Sequence, residues 1–149
     1  MAHVLIIGYG NPLRGDDGLG WVAARRIEKE FAGEEMRVIT SHQLTPELAL
    51  DVSQADLVLF IDASMVGTPG AFVCQPIAAA KSDQLAMTHH FEPANLFAFS
   101  QELYGGHANA FLLSIVGDCF DYVERLSPVV LDTIPELMRR VNELIQSVQ

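Results

Sequence analysis

Two adjacent aspartates, Asp16 and Asp17, close the glycine-rich stretch GYGNPLRGDDGLG, residues 8–20, where a short apolar run over residues 3–7 gives way to a helical pattern. A third carboxylate, Asp62, stands at the end of the apolar run LFIDA, and the stretch MTHHFEPANLF carries His89 and His90 just ahead of another helical pattern. Two carboxylates and one imidazole suit a borderline divalent ion such as nickel or zinc better than calcium. Further ligands can complete such a set.

The first loop sits where nucleotide-binding proteins keep their phosphate loops, yet it has the wrong chemistry for phosphate. A dinucleotide fingerprint needs a third glycine where Leu13 stands, and an acidic residue at the end of the second strand, where this chain has Thr40 and Ser41. Gly10 to Gly15 fits the spacing of a phosphate loop, but Asp16 and Asp17 occupy the positions where Lys and Ser or Thr would neutralise phosphate and hold magnesium. Carboxylates there repel phosphate and attract a cation. No CxxH, HExxH or GxSxG pattern points to a conventional zinc or serine protease.

The elements around these residues read as alternating strands and helices. Short apolar or β-branched runs (HVLII, MRVIT, DLVLFIDA, AFVCQPI, AFLLSIVG) alternate with longer helical patterns, the alternation of a three-layer α/β fold. The expected sheet is mixed and mostly parallel, with about five strands and helices on both faces. Residues 58–76 hold two strands joined by SMVGTPG, too short for a crossover helix, so that pair is expected to be antiparallel. If the first and third strands are neighbours, Asp17 and Asp62 meet at the carboxyl edge of the sheet, where open α/β sheets collect their ligands. The final helix is expected to start with Ser127 as N-cap and Pro128 in its first turn. Its apolar stripe is Val130, Ile134, Leu137, Met138, Val141, Leu144 and Ile145, and Pro135 should kink it.

Composition narrows the function classes. The 149 residues carry nine Lys plus Arg against nineteen Asp plus Glu, a formal charge of −10, which disfavours nucleic acid and anionic membranes as partners. Apolar stretches such as residues 57–61 fall far short of the ~20 residues that span a bilayer, and the expectation is one soluble, cytoplasmic, monomeric domain over 1–149. Cys74 and Cys119 lack CxxC spacing and are expected to be buried reduced thiols.

Taken in order, Gly8, Gly10, Asn11, Leu13, Asp16, Asp17, Gly18 and Gly20, the strand-end Asp62 and the later histidine loop resemble the nickel-iron hydrogenase maturation endopeptidases. The likeness extends over nearly the whole chain, including LLSIVG and the final SP helix. It implies an aspartic-type endopeptidase that activates the hydrogenase by removing a C-terminal extension from the precursor of its large subunit once nickel is inserted. Nickel then belongs to the substrate, although other divalent ions can occupy the site in vitro. The resemblance places the metal-contacting and catalytic roles on Asp17, Asp62 and a histidine, His89 by its spacing from Leu96 and Phe97, with His90 the alternative. Where many members have a glycine-rich GGT turn, this chain reads SHQLTPE over residues 41–47, which looks like the branch serving NAD(P)-coupled bidirectional hydrogenases. A nickel-recognising chaperone without peptidase activity is the rival reading.

Each residue also has a plainer role open to it. Asp16 and Asp17 fit a helix N-terminus, and Asp16 can orient the surroundings of Asp17. Asp62 fits a strand-end cap, and a histidine pair fits solvated surface. Asn11 is expected to brace its own turn, Arg14 to pair with a neighbouring charge rather than contact the substrate, and Trp21 to be core rather than a ligand platform. His42 and Gln43 either stiffen their turn or read the substrate.

Overall fold

The computed structural model describes residues 2–31, 35–78 and 91–149. In chain order these form β1 (Val4–Tyr9), a 3-10 turn (Gly15–Gly18), α1 (Leu19–Glu30), β2 (Met36–Ser41) and a second 3-10 turn (Pro46–Leu48). Then follow α2 (Ala49–Ser53), β3 (Leu57–Ser64), β4 (Phe72–Pro76), α3 (Pro93–Tyr104), β5 (Asn109–Val116) and α4 (Pro128–Ser147).

The sheet order is β2-β1-β3-β5-β4, with all neighbours parallel except β4 and β5. The three central strands read as nearly continuous apolar runs because helices cover them on both faces. Alternate residues divide the core in two. Val4 and Ile6, Leu57, Leu59 and Ile61, and Leu113 and Ile115 face α1 and α4. Leu5 and Ile7, Val58 and Phe60, and Ala110 face α2 and α3. This is the expected three-layer α/β architecture, and the expected apolar stripe of the last helix is buried against the first face.

One expected pairing is corrected. β4 does run antiparallel, but its hydrogen-bonded neighbour is β5, which lies between it and β3. β5 pairs with β3 over eight positions, from Leu57↔Asn109 to Ser64↔Val116. A strand with such apolar faces gains most in the interior of the sheet, and residues 65–71 are long enough to cross the two strand spacings, ~10 Å, that this opens. The short β4, ending in Pro76, is left at the edge, where a residue without an N–H is tolerated.

The start of α1 lies directly on the strand backbones. A Cβ on Gly20 would meet the Ile61 carbonyl oxygen at 2.5 Å and the Tyr9 nitrogen at 2.6 Å, and one on Gly8 would meet the Gly20 oxygen at 2.0 Å. Glycine at both positions lets the helix approach β1 and β3 closely enough to bring the first loop over their ends. α4 runs from Pro128 through Pro135 to Ser147. Cys74 and Cys119 are free thiols, half-buried rather than buried.

Candidate functional site at the carboxyl edge of the sheet

β1 connects outward to β2, and the chain then crosses back to place β3 on the other side of β1. The strand order therefore reverses between β1 and β3, which leaves a crevice outside their carboxyl ends. On the α2–α3 face, the apolar rows Leu5–Ile7, Val58–Phe60 and Ala110–Leu112 each continue to a polar residue: Tyr9, Asp62 and Ser114. Asp62 and Ser114 are register partners. The Ser114 hydroxyl donates to Asp62 Oδ1 at 2.6 Å and the Tyr9 hydroxyl donates to Asp62 Oδ2 at 2.9 Å.

Each Asp62 oxygen thus accepts one hydroxyl and keeps lone-pair capacity for a further partner. Burial pushes the Asp62 carboxyl above its ordinary value; the two hydroxyl donors oppose that shift, and the nearby charge of Asp17 adds to it. Burial, followed by the Asp62 charge and hydrogen bond, also drives the Tyr9 phenol far upward, so Tyr9 remains a donor at any ordinary pH.

Asp17 reaches the same edge from the first 3-10 turn. Its Oδ2 accepts the Asn11 N–H at 2.8 Å, while Asn11 Oδ1 accepts the Leu13 N–H at 2.9 Å, the self-braced turn expected of Asn11. Gly10 makes this possible: its φ is +134°, and a Cβ there would meet the Asp17 carbonyl oxygen at 2.2 Å. The Trp21 indole donates to the Gly10 oxygen at 2.9 Å and the Ser41 oxygen at 3.2 Å, tying the ends of β1 and β2 together. Trp21 is half-buried and meets the exposed His42 edge-on at 5.8 Å, so it is a loop brace rather than the expected core residue.

Asp16, in the same turn, braces the loop that carries Asp17 by reaching a distant segment. It is 0% exposed and accepts four hydrogen bonds: from the N–H groups of Asp118 (2.7 Å), Cys119 (3.0 Å) and Ser127 (2.7 Å), and from the Ser127 hydroxyl (2.8 Å). Burial alone would raise its pKa, but these bonds outweigh it and hold the carboxyl below its ordinary value. Asp16 therefore fastens residues 118–127 to the first loop, and Ser127, although it is the α4 N-cap, directs its hydroxyl to Asp16 rather than to its own helix. Arg14 forms no ion pair among the described residues; it donates to the Phe120 oxygen at 3.3 Å and stacks 5.4 Å over the Tyr122 ring.

Asp17 and Asp62 are thus brought to one edge, close enough for the charge of one to affect the other. His89 and His90 lie outside the described residues. The described chain resumes at Phe91, which stacks on Phe99 at 5.2 Å, and Glu92, whose charge reaches Tyr9. Among the described residues no three His, Cys, Asp or Glu side chains form a metal cluster. Sequence reasoning missed Tyr9 and Ser114. The available signal was Ser114 as the lone polar residue within LLSIV, together with the period-two rows that end at both positions.

No protein-family model matches the chain, and no curated protein matches it by sequence. Its three-dimensional structure is similar to that of the hydrogenase maturating endopeptidase HybD from E. coli, with a TM-score of 0.77 and 18% identity over 98% of this chain and 93% of that one. The nickel-iron hydrogenase maturation protease HycI from Thermococcus kodakarensis is similar with a TM-score of 0.75 and 21% identity, over 97% and 93% of the two chains. The hydrogenase 2 maturation peptidase from a Thaumarchaeota archaeon gives a TM-score of 0.73 and 22% identity, over 97% and 98%. At these identities the likeness shows a shared fold over nearly the whole chain.

Proposed function

We propose that this chain is a cytoplasmic, monomeric endopeptidase that removes the C-terminal extension of the nickel-loaded large subunit of a nickel-iron hydrogenase. The observation that carries the reading is the Asp17–Asp62 pair at the β1–β3 switch point, in a fold shared end to end with three peptidases of hydrogenase maturation. Asp17, Asp62 and His89, with His90 as the alternative, contact the nickel of the substrate. No helix among the described residues is long and apolar enough to cross a membrane, in keeping with a protein that meets its substrate in solution.

The donor set fits that role. Asp17 Oδ1 makes no hydrogen bond among the described residues, and both Asp62 oxygens are oriented by hydroxyl donors without being saturated. Oriented hard donors of this kind bind a divalent ion that arrives with open positions. Hydrolysis adds water to the scissile carbonyl and breaks its C–N bond; one carboxylate takes the water proton and the departing amine receives one. An unloaded subunit leaves the two carboxylates repelling each other across the crevice, so nickel insertion becomes a checkpoint before cleavage.

Mass spectrometry of the C-terminal peptide released from the hydrogenase precursor tests this directly. The nickel-loaded precursor should lose its extension only when the chain is present, and the nickel-free precursor should remain intact. Binding without cleavage would establish the chaperone reading instead. Exchanging SHQL for a glycine-rich turn should change which large subunit is accepted, the outcome expected of the bidirectional-hydrogenase branch.

A further inference from the structure

Beside Asp17, a groove of about 220 Å3 runs between the first loop, α1 and residues 124–126, lined by Pro12, Trp21, Val22, Leu126, Arg25 and Arg125, with Glu124 also at its wall. Val22 is 40% exposed, an apolar side chain presented at the opening. Arg25 and Arg125 are exposed and, like Arg14 on the same side of the loop, pair with no carboxylate among the described residues. In a chain of charge −10, two of the nine basic residues thus line one apolar opening without an ion-pair partner among the described residues, and Arg14 stands on the adjoining loop. The Arg14 guanidinium over the 83% exposed Tyr122 extends the patch.

The platform is held in place before any partner arrives. The four hydrogen bonds to Asp16, the Gly15 N–H donating to the Val123 oxygen at 2.8 Å and the Asp16 N–H donating to the Cys119 oxygen at 2.9 Å join both walls of the groove. Trp, Tyr and Arg are the residues from which binding hot spots are drawn, and here the backbone that carries them is fixed before contact.

We infer that this groove docks an acidic segment of the protein substrate, one apolar side chain seating against Trp21, Val22 and Leu126 while carboxylates face Arg25, Arg125 and Arg14. The inference rests on the proposed peptidase reading for the identity of the substrate. Charge complementarity selects the occupant: Arg25 and Arg125 beside an apolar opening attract an acidic segment with an apolar side chain, and the groove abuts the loop that carries Asp17. Docking there brings the segment to the crevice edge without using the catalytic carboxylates.

The test uses the full chain and the nickel-loaded precursor of the large subunit as probe, measuring binding by fluorescence anisotropy and cleavage separately. The double variant R25E/R125E should raise Kd and KM roughly tenfold or more, with kcat retained and the salt dependence of binding reduced. Arg139→Glu, on α4, should change neither, and circular dichroism checks that each variant folds. Val22→Asp should weaken binding in the same way. If the precursor binds but is not cut, the peptidase reading fails, while docking stands when Kd still responds to R25E/R125E. Docking is overturned if the reversal leaves Kd unchanged, if the wild-type chain does not bind the precursor, or if the groove instead holds a second copy, seen as a dimer that R25E/R125E dissociates.

Discussion

Replacing Asp16 with alanine should destabilise the fold by about 3 kcal/mol at neutral pH while leaving Asp17 and Asp62 in place. The carboxylate is fully buried and accepts three backbone N–H groups and one hydroxyl at 2.7 to 3.0 Å. Each charge-assisted bond contributes ~1.5–3 kcal/mol, and a buried donor left unpaired costs ~1–3 kcal/mol, but water reaches part of the loosened loop and recovers some of that. Asp16→Asn should fall between alanine and wild type, since its amide keeps one accepting oxygen and turns an NH2 toward groups that are themselves donors. The folded pKa lies below the ordinary carboxylate value, so the stabilisation is fully present above about pH 4 and is lost as pH falls through the lowered value. Urea unfolding of the three proteins at neutral pH, and of wild type and Asp16→Ala down an acid series, measures both effects. The wild-type advantage should shrink toward zero on acidification. A difference below ~1 kcal/mol at neutral pH, or a gap that persists at low pH, would refute the argument that Asp16 is an ionised clamp.

Asp62 has the opposite linkage: its raised pKa means that ionisation costs stability as pH climbs through the ordinary carboxylate value toward the folded one. Asp62→Asn should therefore be at least as stable as wild type by thermal melting at neutral pH yet lose processing at least ~100-fold, and Asp17→Asn should lose it likewise. Gly20→Ala, whose Cβ would lie 2.5 Å from a β3 carbonyl, should cost ~3 kcal/mol or prevent folding, read by circular dichroism. Of His89→Ala and His90→Ala, the first should abolish cleavage of the nickel-loaded precursor and the second should not. Loss in the second alone would move the ligand by one residue.

The alternation of short apolar runs with helical patterns and the absence of a crossover helix between the third and fourth strands made most of the sheet legible, while the β1–β3 contact that joins Asp17 to Asp62 entered only as a condition that the strand order then met. The place of β5 was not legible, because antiparallel direction can be read from a short connection but hydrogen-bonded neighbourhood depends on which strand gains most by burial on both faces. Asp16 and Asp17 look alike in sequence, and only the fold separates them: one turns inward to residues 118–127, the other toward the crevice. Ser127 was recognised as a helix N-cap, but its hydroxyl partner lies 111 residues away, beyond any local pattern. The glycine that a dinucleotide fold would place at position 13 has its counterpart in Gly20, where close helix–strand approach is made seven positions later.

The place of β5 between β3 and β4 also makes the setting of Asp62 depend on the last strand of the chain. The two hydroxyls that orient Asp62 come from residues 53 and 52 positions away along the chain; Ser114 reaches it only when β5 pairs with β3, and β4, paired with β5 alone, joins the sheet no earlier. Closing contacts of such separation is slow, and a chain emerging from the ribosome has released β1 to β4 well before β5. A truncated, nascent or partly unfolded molecule can therefore hold most of the sheet and still lack an oriented Asp62. The strand order that completes the sheet therefore also completes the setting of Asp62 last.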